Sequence, residues 1–145
     1  MPRVSQAVAK QTRQRIIDSA FEIIIAEGGE YLTFSNLAKK AKISRSGINA
    51  HFNRKEDIYQ TIKPLVIDKL RVRINYNSPR EFYESWVNSF DNDVEFRRLI
   101  VGAGLFFTKK EGIGDLKASI SGEASETENF IYMAIGYAVI NIDED

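Results

Sequence analysis

The sequence predicts an all-α protein, and two observations carry that expectation. Apolar residues recur three and four positions apart along most of the chain, the spacing that lines one face of an α-helix. Helix-opening and helix-ending residues punctuate the chain where those stripes begin and stop. No segment alternates apolar and polar residues as a half-buried strand does.

Residues 1–12 are polar and basic and read as a frayed arm, from which Arg3, Lys10 and Arg13 could reach an anion. A first helix is expected over residues 11–27, where Ile16, Ile17, Ala20, Phe21, Ile24 and Ile25 supply the apolar face. Gly28 and Gly29 end it, since glycine takes the left-handed conformation cheaply. Thr33 opens a second helix, over 33–40, with Phe34, Leu37, Ala38 and Ala41 as its stripe. Ser44 opens a third, over 44–51, in which the polar Arg45, Ser46 and Asn49 outnumber the apolar anchor Ile48. A short helix with so little to bury presents its side chains rather than filling a core.

A fourth helix is expected from Arg54 into the low seventies through Ile58, Ile62, Leu65, Val66 and Leu70, bent at Pro64. Ser78 and Pro79 open a fifth, which carries Phe82, Tyr83, Trp86 and Val87. Asp93 caps a sixth, over 94–108, whose apolar second half reads as buried, with Gly102 and Gly104 allowing a neighbour to approach. A turn over 109–114, a short helix over 115–120 and a last helix over 124–142 complete the chain. The domains expected are 1–53, a three-helix head; 54–77, a connecting helix; and 78–145, a small helical C-terminal lobe.

Composition narrows the function. There is no cysteine, and His51 is the sole histidine, so neither a thiolate site nor a multi-histidine metal cluster can be built. No glycine-rich phosphate loop and no nucleophile–base constellation appears, so an enzyme is not expected, and no cofactor or metal is implied. The N-terminus lacks a secretory apolar core. The run 131–140 is about half the roughly 20 residues a bilayer span needs, so a cytoplasmic protein without a membrane partner is expected. The net charge of zero hides an asymmetry. Residues 1–73 hold fourteen Lys+Arg against seven Asp+Glu, a net +7, and residues 74–145 hold six against thirteen, a net −7. The basic half therefore suits an anionic partner.

Two short helices joined by a tight turn, the second polar and basic, follow the helix-turn-helix plan, whose second helix enters the DNA major groove. On that plan Arg45, Ser46 and Asn49 read bases or hold phosphate, and Gly47 lets the backbone approach. Ser44 sits at the start of the same helix. Thr33 and Ser35, at the start of the second helix, aim N–H groups and hydroxyls at phosphate.

The flanks make the pattern more specific. The run from Arg15 to Phe21 with Glu27-Gly28, and the run from His51 to Ile58, are similar to the tetracycline-repressor (TetR/AcrR-like) family of transcriptional regulators over roughly residues 11–60. That resemblance implies a homodimeric, sequence-specific repressor on a near-palindromic double-stranded DNA operator. It also implies a phosphate-binding role for Lys55, and for His51 a place at the end of the recognition helix near the DNA backbone. Two positions depart from the family pattern. Lys42 stands where a turn glycine is usual, tolerable if the turn avoids positive φ. Asn49 stands where a phosphate-binding tyrosine is usual.

In the C-terminal lobe, Phe82, Trp86, Phe90, Phe106 and Phe107 could line a pocket for a small apolar ligand, the family's usual inducer site, or form plain core. Ile131, Ala134, Ile135, Ala138, Val139 and Ile142 make a broad apolar band suited to dimerisation, with Gly136 leaving room for close contact. The alternatives are a constitutive DNA-binding dimer without an inducer pocket and a helical adaptor that binds no DNA.

Overall fold

The computed structural model describes residues 5–102 and 110–142, and no strand occurs among them. They divide between two compact units, Met1–Val66 and Ile67–Asp145.

The first unit begins with α1 (Gln6–Ala26). The expected frayed arm is helical from Gln6, because the Ser5 hydroxyl accepts the Val8 N–H at 3.2 Å and so satisfies a donor that the helix start would otherwise expose. Ile16, Ala20, Ile23 and Ile24 are its buried face. It ends where the Gly28 N–H bonds the Ile23 carbonyl at 3.0 Å and Gly28 takes φ 107°. A single 3₁₀ turn, Gly29–Tyr31, leads to α2 (Phe34–Ala41), capped by the Thr33 hydroxyl on the Asn36 N–H.

The α2–α3 turn corrects one expectation. Lys42 does adopt the left-handed conformation, with φ 56° and ψ 46°. The reversal into α3 (Arg45–Asn49) demands it, since the Lys42 and Ile43 N–H groups both fold back onto the Ala38 carbonyl. Helix α3 is also shorter than expected. Beyond Asn49 the His51 and Phe52 N–H groups both bond the Ile48 carbonyl at 2.9 Å, tightening the last turn. Ile48 and Phe52 are buried and anchor it.

Helix α4 (Lys55–Arg71) passes from the first unit into the second and runs unbroken through Pro64. Proline lacks the N–H that would bond the Gln60 carbonyl, but both residues are exposed and water can satisfy that oxygen.

The second unit contains α5 (Pro79–Asn92), α6 (Val94–Gly102), α7 (Lys110–Ser119) and α8 (Ala124–Asn141). The turn expected at 109–114 is helical from Lys110. Helix α5 packs on α6 and α8, and α7 packs on α8. Phe82, Trp86, Phe90, Phe96 and Leu99 fill the core with Ile131, Ala134 and Ala138 from α8. Each such phenylalanine contributes about 1.5–3 kcal/mol through burial. Gly122, at φ 151°, lies against the Pro79 ring, where a Cβ would stand 2.7 Å from Cδ. Arg73 ties α4 to α6: Nε donates to Asp93 at 2.7 Å, Nη2 to Glu95 at 2.8 Å, and Nη1 to the Lys69 carbonyl at 2.7 Å. No described helix is long and apolar enough to cross a membrane.

Candidate nucleic-acid interface

The residues expected to contact DNA lie in the first unit at three places: the start of α2, the length of α3 and the start of α4. Two of their hydroxyls have structural work. Thr33 Oγ1 caps α2, and Ser44 Oγ caps α3 by accepting the Gly47 N–H at 3.1 Å, while standing 3.1 Å from Ser46 Oγ. Ser35, Arg45, Ser46 and Asn49 are exposed, and His51 and Lys55 are half-buried. The outer side of α3 is thus polar and the opposite side is Ile48, fully enclosed.

Gly47 has a reason that the sequence did not suggest. A Cβ there would lie 2.6 Å from Cγ2 of Ile43, so the glycine is required by packing inside the turn.

Several basic side chains rest on aromatic rings. The Arg45 guanidinium carbon lies 5.7 Å from the Phe34 centroid, and Lys55 Nζ lies 5.4 Å from that of Tyr59. Arg13, expected in a free arm, instead stacks 4.4 Å above Phe52. Tyr59 in turn donates to the Gly29 carbonyl at 2.8 Å, and burial, with Glu56 adding, raises its hydroxyl pKa so that it stays a donor. The Lys55–Tyr59 pair has the four-residue spacing of helix neighbours and was readable from sequence. The Phe34–Arg45 and Arg13–Phe52 pairs join different elements and carry no sequence signal. Other cations are paired, Lys40 with Glu22 at 3.5 Å and Arg54 with Asp57 at 4.0 Å.

In the second unit Phe82, Trp86 and Phe90 are buried against other rings. Phe82 and Trp86 stand 5.8 Å apart, Trp86 and Phe96 5.5 Å, and Phe90 and Tyr137 5.8 Å. Phe106 and Phe107, together with Gly104, lie outside the described residues.

The apolar band expected on α8 is divided. Ile131, Ala134 and Ala138 are buried within the chain's own core because they face α5, and Ile135 is half-buried. Val139 and Ile142 are exposed, and with them Tyr132, Met133 and Ile140. Tyr132, Gly136, Val139 and Ile140 share a helical face, and a Cβ added at Gly136 would meet nothing within 4 Å.

A capped positioning helix, a tight left-handed turn and a short helix with a polar outer side define a helix-turn-helix unit of the nucleic-acid-binding kind. Residues 16–62 match the family described as bacterial regulatory proteins, tetR family, so this part of the chain is similar to that family's DNA-binding domain. Over 62 residues it is 42% identical to the uncharacterized HTH-type transcriptional regulator TtgW of Pseudomonas putida, covering 43% of this chain and 46% of that protein. It is 40% identical over 62 residues to the HTH-type transcriptional regulator SrpR, also of Pseudomonas putida, covering 43% of this chain and 29% of that one. A longer alignment, 125 residues at 27% identity, links it to the HTH-type transcriptional regulator AcrR of Shigella flexneri, covering 80% of this chain and 57% of that protein. The chain covers 46%, 29% and 57% of the lengths of these three relatives, less than two thirds of each.

Proposed function

We propose that this chain is a transcriptional regulator that binds double-stranded DNA through α3, acts in the cytoplasm, and pairs with a second copy to occupy a near-palindromic operator as a repressor. The observation that carries the reading is the polar outer side of α3, with Arg45, Ser46 and Asn49, on a helix whose caps and Ile48 anchor leave it little other role. In this reading Thr33, Ser35, His51 and Lys55 hold phosphate, supplying affinity without sequence information. Arg45 and Ser46 read bases, and Asn49 holds phosphate through its amide.

Pairing is assigned to the face of α8 that the fold leaves open, Val139 and Ile140 with Tyr132 and Gly136, joined by Ile142 beyond the helix end. Two heads on one dimer act on paired half-sites through effective concentration. Control by a small apolar ligand would act within the second unit. The mutual packing of Phe82, Trp86, Phe90 and Phe96 favours a second reading, in which that unit only dimerises and binding is constitutive. Thermal shift against a panel of apolar compounds separates the two, since a ligand that binds only the folded state raises the melting temperature with concentration.

The DNA reading is tested by titrating a duplex at several salt concentrations. Affinity is expected to fall steeply with salt as counterions are released. Absence of binding even at low salt would leave the helical adaptor.

A further inference from the structure

We propose that Phe34 is a positioning residue for base recognition: its ring seats the Arg45 guanidinium so that the side chain enters the groove already oriented. The inference rests on the DNA-binding reading above. Phe34 is the first residue of α2 and Arg45 the first of α3, and the guanidinium carbon stands 5.7 Å from the ring centroid. That is within the roughly 6 Å over which a ring quadrupole attracts a cation.

The surroundings favour a positioning role over simple packing. Leu37 and Ala41 of the same helix are buried, whereas Phe34 is only half-buried. Arg45 is exposed, and among the described residues no carboxylate pairs with it, unlike Lys40, Arg54 and Arg73. The guanidinium thus lies within reach of the ring while none of its N–H donors is held by a carboxylate among the described residues. A cation–π contact consumes no N–H donor, so the guanidinium donors remain available to acceptors. Reading guanine O6 and N7 needs two of those donors held in one plane. A free arginine loses substantial rotamer freedom in reaching that pose, and a seated one has lost part of it before DNA arrives. The root of the side chain is fixed as well, because Ser44 Oγ holds the Gly47 N–H and lies 3.1 Å from Ser46 Oγ, locking the start of α3.

The test is a base-by-base binding profile of the full chain on a duplex selected by the wild type, for Phe34→Leu and Phe34→Tyr. Leucine keeps apolar bulk and removes the ring. Discrimination at one position per half-site should fall about two- to five-fold in Phe34→Leu, the equivalent of an exposed cation–π contact. Affinity for random duplex and the salt slope should stay unchanged, since no charge is lost. Phe34→Tyr should keep the wild-type profile. In an Arg45→Ala background Phe34→Leu should add nothing, which a purely structural role would not produce. An unchanged Phe34→Leu profile overturns the inference, as does a uniform loss on every sequence or a loss that persists without Arg45. A wild type that selects no duplex overturns the DNA reading, and this inference with it.

Discussion

Lys42 occupies a backbone conformation that suits glycine better. Its φ of 56° puts the lysine Cβ close to the following carbonyl, while the side chain is exposed and the Lys42 carbonyl takes only a 3.4 Å contact from Arg15 Nη2. Replacing Lys42 with Gly should therefore stabilise the first unit by about 0.5–1 kcal/mol, read as a raised urea midpoint at constant slope. Gly47 is the opposite case. Alanine improves helix propensity by up to about 1 kcal/mol but forces a Cβ to 2.6 Å from Ile43 Cγ2, and Ile43 is β-branched and stiff. Overpacking costs about 1–3 kcal/mol and should win, giving net destabilisation of Gly47→Ala that Ile43→Ala relieves in the double variant. The residue scale is where sequence reading is weakest. That Lys42 sits at a turn was visible, but its φ follows from where α3 must lie. The need for glycine at 47 comes from a neighbour's methyl group, which helical periodicity cannot place.

At the scale of elements, the helices were legible wherever a stripe and a cap coincided. Thr33, Ser44 and Ser78 cap helices as their residue types imply, and Asp93 accepts the Phe96 N–H at 3.1 Å to start α6. Elements without a stripe were missed: the first turns of α1 depend on the Ser5 cap, and α7 begins within the expected turn. The orientation of α8 was also hidden, because residues 130–140 are apolar nearly all round and periodicity then cannot choose the buried side. Only packing on α5 turns Ile131, Ala134 and Ala138 inward. Ile140 is 82% exposed, so Ile140→Asp should leave the monomer folded and halve the mass seen by light scattering. An unchanged dimer would move the interface elsewhere.

The α4–α6 clamp gives a second test at this scale. Partial burial pushes the Asp93 carboxyl pKa up, but the Phe96 N–H and the Arg73 guanidinium outweigh it and hold the group below its ordinary value. A depressed value in the folded state means that its contribution is complete above the unfolded value and is lost as pH falls through the folded one. Arg73→Ala should cost about 1–2 kcal/mol at neutral pH, discounted for the partly exposed partners. It should also flatten the loss of stability as pH falls through and below the ordinary carboxylate range, followed by chemical denaturation.

For the whole molecule, the charge asymmetry is the feature that the sequence showed most directly. A net +7 over residues 1–73 and −7 over the remainder place the helix-turn-helix in the half suited to a polyanion. Lys55→Ala should lower affinity alike on all duplexes and reduce the salt slope by about one unit, because a phosphate contact carries no sequence information. Selection of bound duplexes from a random pool tests whether this chain is a sequence-specific DNA-binding dimer. Enrichment of an inverted repeat is expected, with half-sites one helical turn or a multiple apart and preference at one position relaxed in Arg45→Ala. A pool that remains unenriched after repeated rounds at low salt would contradict it.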